Sequence, residues 1–165
     1  MDIIFERRSC RKFLDRVVED EKIEKLLRAG MQAPSACDQR PWEFIVITNR
    51  ELLDKLSEAT PYAMCVKNSN CAIVPCYRRN ELKNEEYVIC DMSACVENIL
   101  LEATNLGLGG VWIGGAPNEE RICHLKEILD IEDRLVPFCI IPIGYPINKK
   151  EFEDRYEMNR VHYLK

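Results

Sequence analysis

The chain has 165 residues and a mass of 19.2 kDa, the size of one domain. With 47% hydrophobic and 31% charged residues, it has the make-up of a folded protein with its own core and not of a disordered one. A net charge of −5 argues against general nucleic-acid binding, which needs a cationic surface.

Met1 to Glu6 reads as a short helix that opens into Arg7-Arg8-Ser9-Cys10-Arg11. Asp20 to Met31 is predicted as a second helix, with Ile23, Leu26, Leu27 and Met31 on one face. Pro34 ends it, because proline disfavours helical backbone in the residue before it. Glu43 to Thr48 is a β-rich run, Arg50 to Ala59 a helix and Cys71 to Cys76 a second strand. Pro75 within that strand points to a sheet edge or a strand end. Glu85 to Leu106 is the longest helical pattern, apolar over enough of its girth to lie in a core or at a subunit interface. Val111 to Gly114 reads as a strand, Asn118 to Leu129 as a helix and Val136 to Gly144 as a buried strand. The tail, Glu151 to Lys165, alternates charged and aromatic residues; it lies on the domain or reaches a partner. The interleaving gives a central sheet with helices on both faces.

The most apolar stretch, Leu135 to Ile147, is shorter than the ~20 residues of a membrane span and holds three prolines. The charged N-terminus does not read as a signal peptide, so a cytoplasmic location is expected. Nine cysteines include no C-x-x-C pair, and no H-E-x-x-H is present; buried free thiols are expected, with one reactive cysteine as the alternative, and no metal site. Neither His124 nor His162 sits in a motif, and His124 reads as a surface or helix-face residue.

G-L-G-G-V-W-I-G-G, residues 107–115, is not a dinucleotide fingerprint. Trp112 stands where the third glycine belongs, and a helix precedes the glycines where a strand should. No phosphate loop of the G-K-[ST] type and no G-x-S-x-G is present. What stands out is charge. Arg7, Arg8, Arg11 and Lys12 put four cations within six residues, while the remainder carries 19 positive and 28 negative side chains, or −9. Such a patch is either a solvated basic face or a phosphate clamp, in which arginine forks match phosphate oxygens and Ser9 adds a hydroxyl. The segment from Ala33 to Phe44 is either an ordinary helix-to-strand loop or a ligand-lining turn, with Ser35, Asp38 and Gln39 as hydrogen-bonding groups.

Taken in order, four blocks resemble the FMN-dependent nitroreductase family. They are R-R-S-C-R-K-F at 7–13, A-P-S-A…P-W-E-F at 33–44, G-L-G-G-V-W-I-G-G at 107–115 and R-V-H-Y at 160–163. The resemblance implies an α+β fold with a mainly antiparallel sheet flanked by helices, a single domain over residues 1–165 and an intertwined homodimer with FMN at the subunit interface. In that pattern Arg7, Arg8, Ser9 and Arg11 hold the FMN phosphate and ribityl chain from one subunit, and Pro34, Ser35, Ala36 and Asp38 line the flavin from the other. Gly114 and Gly115 approach the flavin ring by their backbone, and Arg160 is a late phosphate contact. The tail, from about residue 150, then reaches the partner subunit, and the 85–106 helix forms the dimer core. The implied activity is ping-pong hydride transfer from NAD(P)H through flavin N5 to a nitro compound, quinone or similar acceptor. No side chain is assigned as proton donor. Alternatives on the same fold are a non-catalytic flavin carrier or redox sensor, and a specialised flavin dehydrogenase or dehalogenase. The chain departs from the family in Asp38, where Asn is usual, in Gln39-Arg40, where Arg-Gln is common, and near Met64, where a lysine is often found. Its short length omits the extra helices of larger relatives, which implies an open site.

Overall fold

The computed structural model describes residues 3–148 and 151–165. Met1 and Asp2, the start of the expected first helix, and Lys149 and Lys150, next to the start of the tail, lie outside them. The elements in chain order are α1 (Ile3–Glu6), α2 (Asp20–Met31), β1 (Trp42–Ile47), α3 (Arg50–Leu56), β2 (Cys71–Arg78), α4 (Val88–Asn105), β3 (Gly109–Gly110), β4 (Ile113–Gly114), α5 (Glu119–Leu129), β5 (Leu135–Pro137) and β6 (Cys139–Gly144). The named strands form one sheet, all paired antiparallel, in the order β1-β2-β6-β3, with β5 beside β2 and β4 beside β6. The fold is α+β.

Alternation along β2 and β6 divides the core into two layers, because successive strand residues face opposite sides of a sheet. Cys71, Ile73, Cys139, Ile141 and Ile143 pack with α2 and α4. Ala72, Val74, Cys76 and Ile140 pack with Leu53 and Leu56 of α3 and Leu125 of α5. The apolar girth of α4 is thus used inside one chain: Met92, Cys95, Val96, Ile99, Leu100 and Ala103 are buried there.

Several elements differ from the sequence expectation. Pro75 sits in the middle of an interior strand, flanked by β1 on one side and by β5 and β6 on the other. Its carbonyl accepts from Phe138 N at 2.8 Å, so its missing N–H falls at the break between β5 and β6, where no ladder bond is lost. The single expected strand over 136–144 is accordingly two, and the one over 111–114 is the two short strands β3 and β4. Met31 is half exposed, while Gly30 takes the buried position against Ile99. The helix expected from Glu85 starts at Val88 after a 3₁₀ turn. Residues 151–165 are exposed throughout and carry one 3₁₀ turn, Met158–Arg160.

The end of α4 is a Schellman stop: Leu108 N donates to Ala103 O and Gly107 N to Thr104 O, with Gly107 at φ +72°. That turn delivers β3 to the N-terminal segment. Cys10 N donates to Gly110 O at 2.9 Å, and a Cβ on Gly109 would lie 2.7 Å from that of Cys10, so only glycine permits the approach. Beside it, the Tyr145 hydroxyl donates to Glu19 while Lys22 Nζ donates to the Tyr145 oxygen and to Leu106 O. The Tyr145 hydrogen bond is the main reason why the Glu19 carboxyl is held down to about 2.

Five of the nine cysteines are buried, Cys10 is half-buried, and Cys37, Cys90 and Cys123 are exposed; none forms a disulfide among the described residues. Burial pushes Cys71, Cys76 and Cys95 up to about 12 and Cys139 up as well, so these act as small neutral hydrophobes. His124 is exposed on α5.

Candidate functional site

The cationic run lies along a cavity of about 700 Å³ whose lining includes Arg8, Ser9, Arg11 and Lys12 and, from the end of α4 and the turn after it, Thr104, Asn105 and Gly107. Ser9 bridges to Gly110 in parallel and Ile147 N donates to Lys12 O, so sheet-like pairing fixes the run's backbone. The four cations do not behave alike. Arg7 turns away to pair with Glu97 of α4 at 3.1 Å. Arg8 folds back, with Nη1 donating to Phe5 O at 2.9 Å and to Arg7 O at 2.8 Å. Its Nη2 is buried with no hydrogen-bond partner. Arg11 and Lys12 are exposed in the cavity wall. A buried guanidinium donor without an acceptor is costly, and an anion in the cavity would relieve it. The residues therefore fit a phosphate group.

The second block closes on itself. Asp91, buried near the start of α4, accepts from Ala36 N at 2.9 Å and from Gln39 Nε2 at 2.6 Å. Gln39 Oε1 accepts from Lys83 N and Asn84 N, both at 3.0 Å. Ser35 Oγ accepts from Arg40 N at 3.0 Å. Gln39, which the sequence leaves as part of either an ordinary loop or a ligand-lining turn, is the buried peg of the loop. Above it Asp38 and Arg40 form a bidentate pair at 2.6 and 2.7 Å, and the Arg40 hydrogen bond holds the Asp38 carboxyl below its usual range. Cys37, Asp38 and Arg40 all have positive φ, of 50°, 50° and 43°. Three side-chain-bearing residues in that region need strong local support, which Asp91 and Gln39 supply.

The glycine pair divides. Gly115 N donates to Phe138 O at 3.1 Å, and its Cβ position would meet Leu125 at 3.0 Å. Gly114 has nothing within 4 Å of its Cβ position. The space over the backbone is therefore open at Gly114 and filled at Gly115. Arg160 pairs with Glu157 in the exposed tail at 2.8 Å and does not join the cationic run within this chain. Pro34 is exposed, and Ser35 and Ala36 are half-buried.

Ala36 is tied to Asp91, whereas the cavity reaches Thr104, 13 residues further along the same helix. At 1.5 Å per residue that is about 20 Å. The sequence did not reveal Asp91 or Glu97 as anchors; both stand in a run read for its apolar positions.

The family model for the nitroreductase family matches residues 4–67 and 65–145. The chain belongs to the nitroreductase family. A nitroreductase-family relative from Archaeoglobus fulgidus, provisionally named an NADH dehydrogenase/NAD(P)H nitroreductase, is 43% identical over 98% of this chain and 95% of its own. A Clostridium acetobutylicum crystal structure, provisionally named an NADH oxidase, superposes with a TM-score of 0.96 at 49% identity, covering 99% of both chains. An FMN-dependent nitroreductase from Clostridium difficile R20291 superposes with a TM-score of 0.90 at 32% identity, covering 99% of this chain and 98% of its own. The nitroreductase match ends before the tail, so it leaves Arg160 out. Among the described residues no helix is long and apolar enough to cross a membrane, and no cluster of three His, Cys, Asp or Glu side chains could hold a metal.

Proposed function

We propose that the protein is an FMN-dependent NAD(P)H oxidoreductase that works as a homodimer, with each FMN held by the cationic run of one copy and lined by the 34–38 loop of the other. The observation that carries this reading is the buried, unpartnered Nη2 of Arg8 in a cavity that also holds Arg11 and Lys12. The ~20 Å between the two blocks along α4 supports the sharing between copies. The exposed tail, with Phe152, Tyr156 and Tyr163 uncovered, is the segment that would reach across.

In this reading Arg8, Arg11 and Lys12 neutralise the phosphate, and the Ser9 hydroxyl donates to it or to the ribityl chain. Gly114 leaves room for a ring to approach the strand end. The Asp91–Gln39 bonds hold Pro34, Ser35 and Ala36 in place beneath the partner's ring. FMN bound there would supply two-electron redox chemistry between NAD(P)H and a nitro compound, quinone or similar acceptor.

Anaerobic mixing with NADH and with NADPH, followed by a panel of acceptors, tests the proposal. Bleaching of bound flavin by at least one nucleotide and its reoxidation by an acceptor are expected. Tight FMN binding without bleaching would make the protein a flavin carrier or sensor. Bleaching by a substrate other than the nucleotides would make it a specialised dehydrogenase.

A further inference from the structure

Arg121 is out of place by the rules of helix electrostatics. It stands in the first turn of α5, three residues after the cap Asn118, whose Oδ1 accepts from Arg121 N at 2.9 Å. A cation there opposes the helix dipole, and acidic residues occupy the two positions before it, Glu119 and Glu120. Yet its side chain pairs with neither. Its Nη1 donates to Gly114 O at 3.3 Å, and its guanidinium carbon lies 5.5 Å from the centre of the Tyr62 ring. Among the described residues it forms no ion pair. The half-buried Arg121 makes one guanidinium hydrogen bond among the described residues, which leaves most of its five donors without a partner there, beside the one glycine of the pair whose Cβ position is open. Tyr62 is 68% exposed, and Trp112, two residues before Gly114, is also uncovered. Local rules are broken most often where a residue serves function.

We infer that Arg121 is the anion anchor of the acceptor subsite, and that the acceptors this enzyme favours are aromatic compounds carrying a carboxylate. The inference rests on the proposed flavin site at Gly114. A guanidinium fork matches a carboxylate in two hydrogen bonds, and the Tyr62 ring offers a face to the attached arene. The electron-donating dinucleotide also carries anionic oxygens, in its phosphates, and the two half-reactions separate these sources.

4-Nitrobenzoate and its near-isosteric neutral amide, 4-nitrobenzamide, are the probes. Reduction balances as nitroarene + NAD(P)H + H⁺ → nitrosoarene + NAD(P)⁺ + water. Intrinsic reactivity differences cancel when the benzoate-to-benzamide ratio of kcat/KM is compared between the wild type and Arg121→Gln. That ratio is expected to fall about tenfold or more in Arg121→Gln and to recover in part in Arg121→Lys. It should also fall with added salt in the wild type, a readout that needs no variant. A ratio unchanged within about twofold, or a loss confined to flavin bleaching by NAD(P)H, would overturn the inference. Should neither nitroarene be reduced, the proposed acceptor chemistry fails separately. Calorimetric binding of 4-nitrobenzoate against 4-nitrobenzamide to the FMN-loaded protein then still decides whether Arg121 reads the carboxylate.

Discussion

The two ends of α4 carry polar groups in opposite states. Near the start of the helix, the 35–40 loop satisfies itself: Asp91, Gln39, Ser35, Asp38 and Arg40 all find partners within the chain, and three positive-φ residues are held in place by those bonds. Near its end, the 7–12 run leaves Arg8 Nη2 buried without a partner and Arg11 and Lys12 facing open space. A saturated loop shapes a surface; an unsaturated cationic cavity needs a ligand. In the proposed reading, the difference gives rigid lining to one end and anion capture to the other.

The largest expected effect sharpens the first half of that contrast. Asp91→Ala removes the acceptor for Ala36 N and the nearer of the two acceptors of Gln39 Nε2, and a buried donor without a partner costs roughly 1–3 kcal/mol. Urea unfolding should show a loss of about 2–4 kcal/mol. A loss below about 1 kcal/mol would mean that the loop does not depend on its internal bonds.

Next comes the ligand end. Arg8→Ala should weaken FMN binding roughly 10- to 150-fold, the worth of a charge-assisted pair, and leave riboflavin binding nearly unchanged. Arg11→Ala should act in the same direction, and Arg7→Ala should do less, because Arg7 is already paired with Glu97. Equal losses for FMN and riboflavin, measured by fluorescence quenching, would make the arginines structural.

Asp38 tests whether the saturated loop is also electrically quiet. A lone carboxylate about 5 Å from a flavin, at an effective dielectric of about 20, would interact with added charge by about 3 kcal/mol, or about 60–70 mV in a two-electron couple. Both oxygens of Asp38 are taken by Arg40, so Asp38→Asn should raise the FMN midpoint by about 20 mV or less. Arg40→Gln, which strips the carboxylate of its partner, should lower it by more. Spectroelectrochemical titration of both variants reads the pair.

The smallest effect lies beside the cavity, where Glu19 accepts from Tyr145. Its carboxyl is lowered from 4.5 to about 2, so its contribution to stability is complete above about pH 4.5 and is lost as pH falls towards 2. Thermal unfolding between pH 6 and 2 should show a slope in the acid range that Glu19→Gln flattens. An identical slope in both proteins would assign the acid loss to other carboxylates.

How much of this was legible in the residues depends on what each feature rests on. Helical and strand periodicities placed the α-helices of the described residues and most strands, because burial repeats every 3.6 or 2 residues, but not the short 3₁₀ turns. The cationic run was visible because charge does not need a fold to be counted. Pro75 misled, since its place in an interior strand depends on the break at Phe138, a partner more than sixty residues away in sequence. The sequence leaves Gln39 between an ordinary loop and a ligand-lining turn for the same reason: only the fold brings Asp91, Lys83 and Asn84 around it. The unequal surroundings of Gly114 and Gly115 likewise come from Leu125 and Phe138, which no local pattern connects to them.

Sedimentation of the FMN-loaded protein, followed at the visible flavin band and in the far ultraviolet, tests most directly whether the two ends of α4 complete one site only between two copies. The flavin should travel with a species of twice 19.2 kDa at one FMN per chain, and dilution that splits the dimer should release FMN at the same concentration. A single 19.2 kDa chain that holds FMN as tightly as the undiluted protein would contradict the shared site.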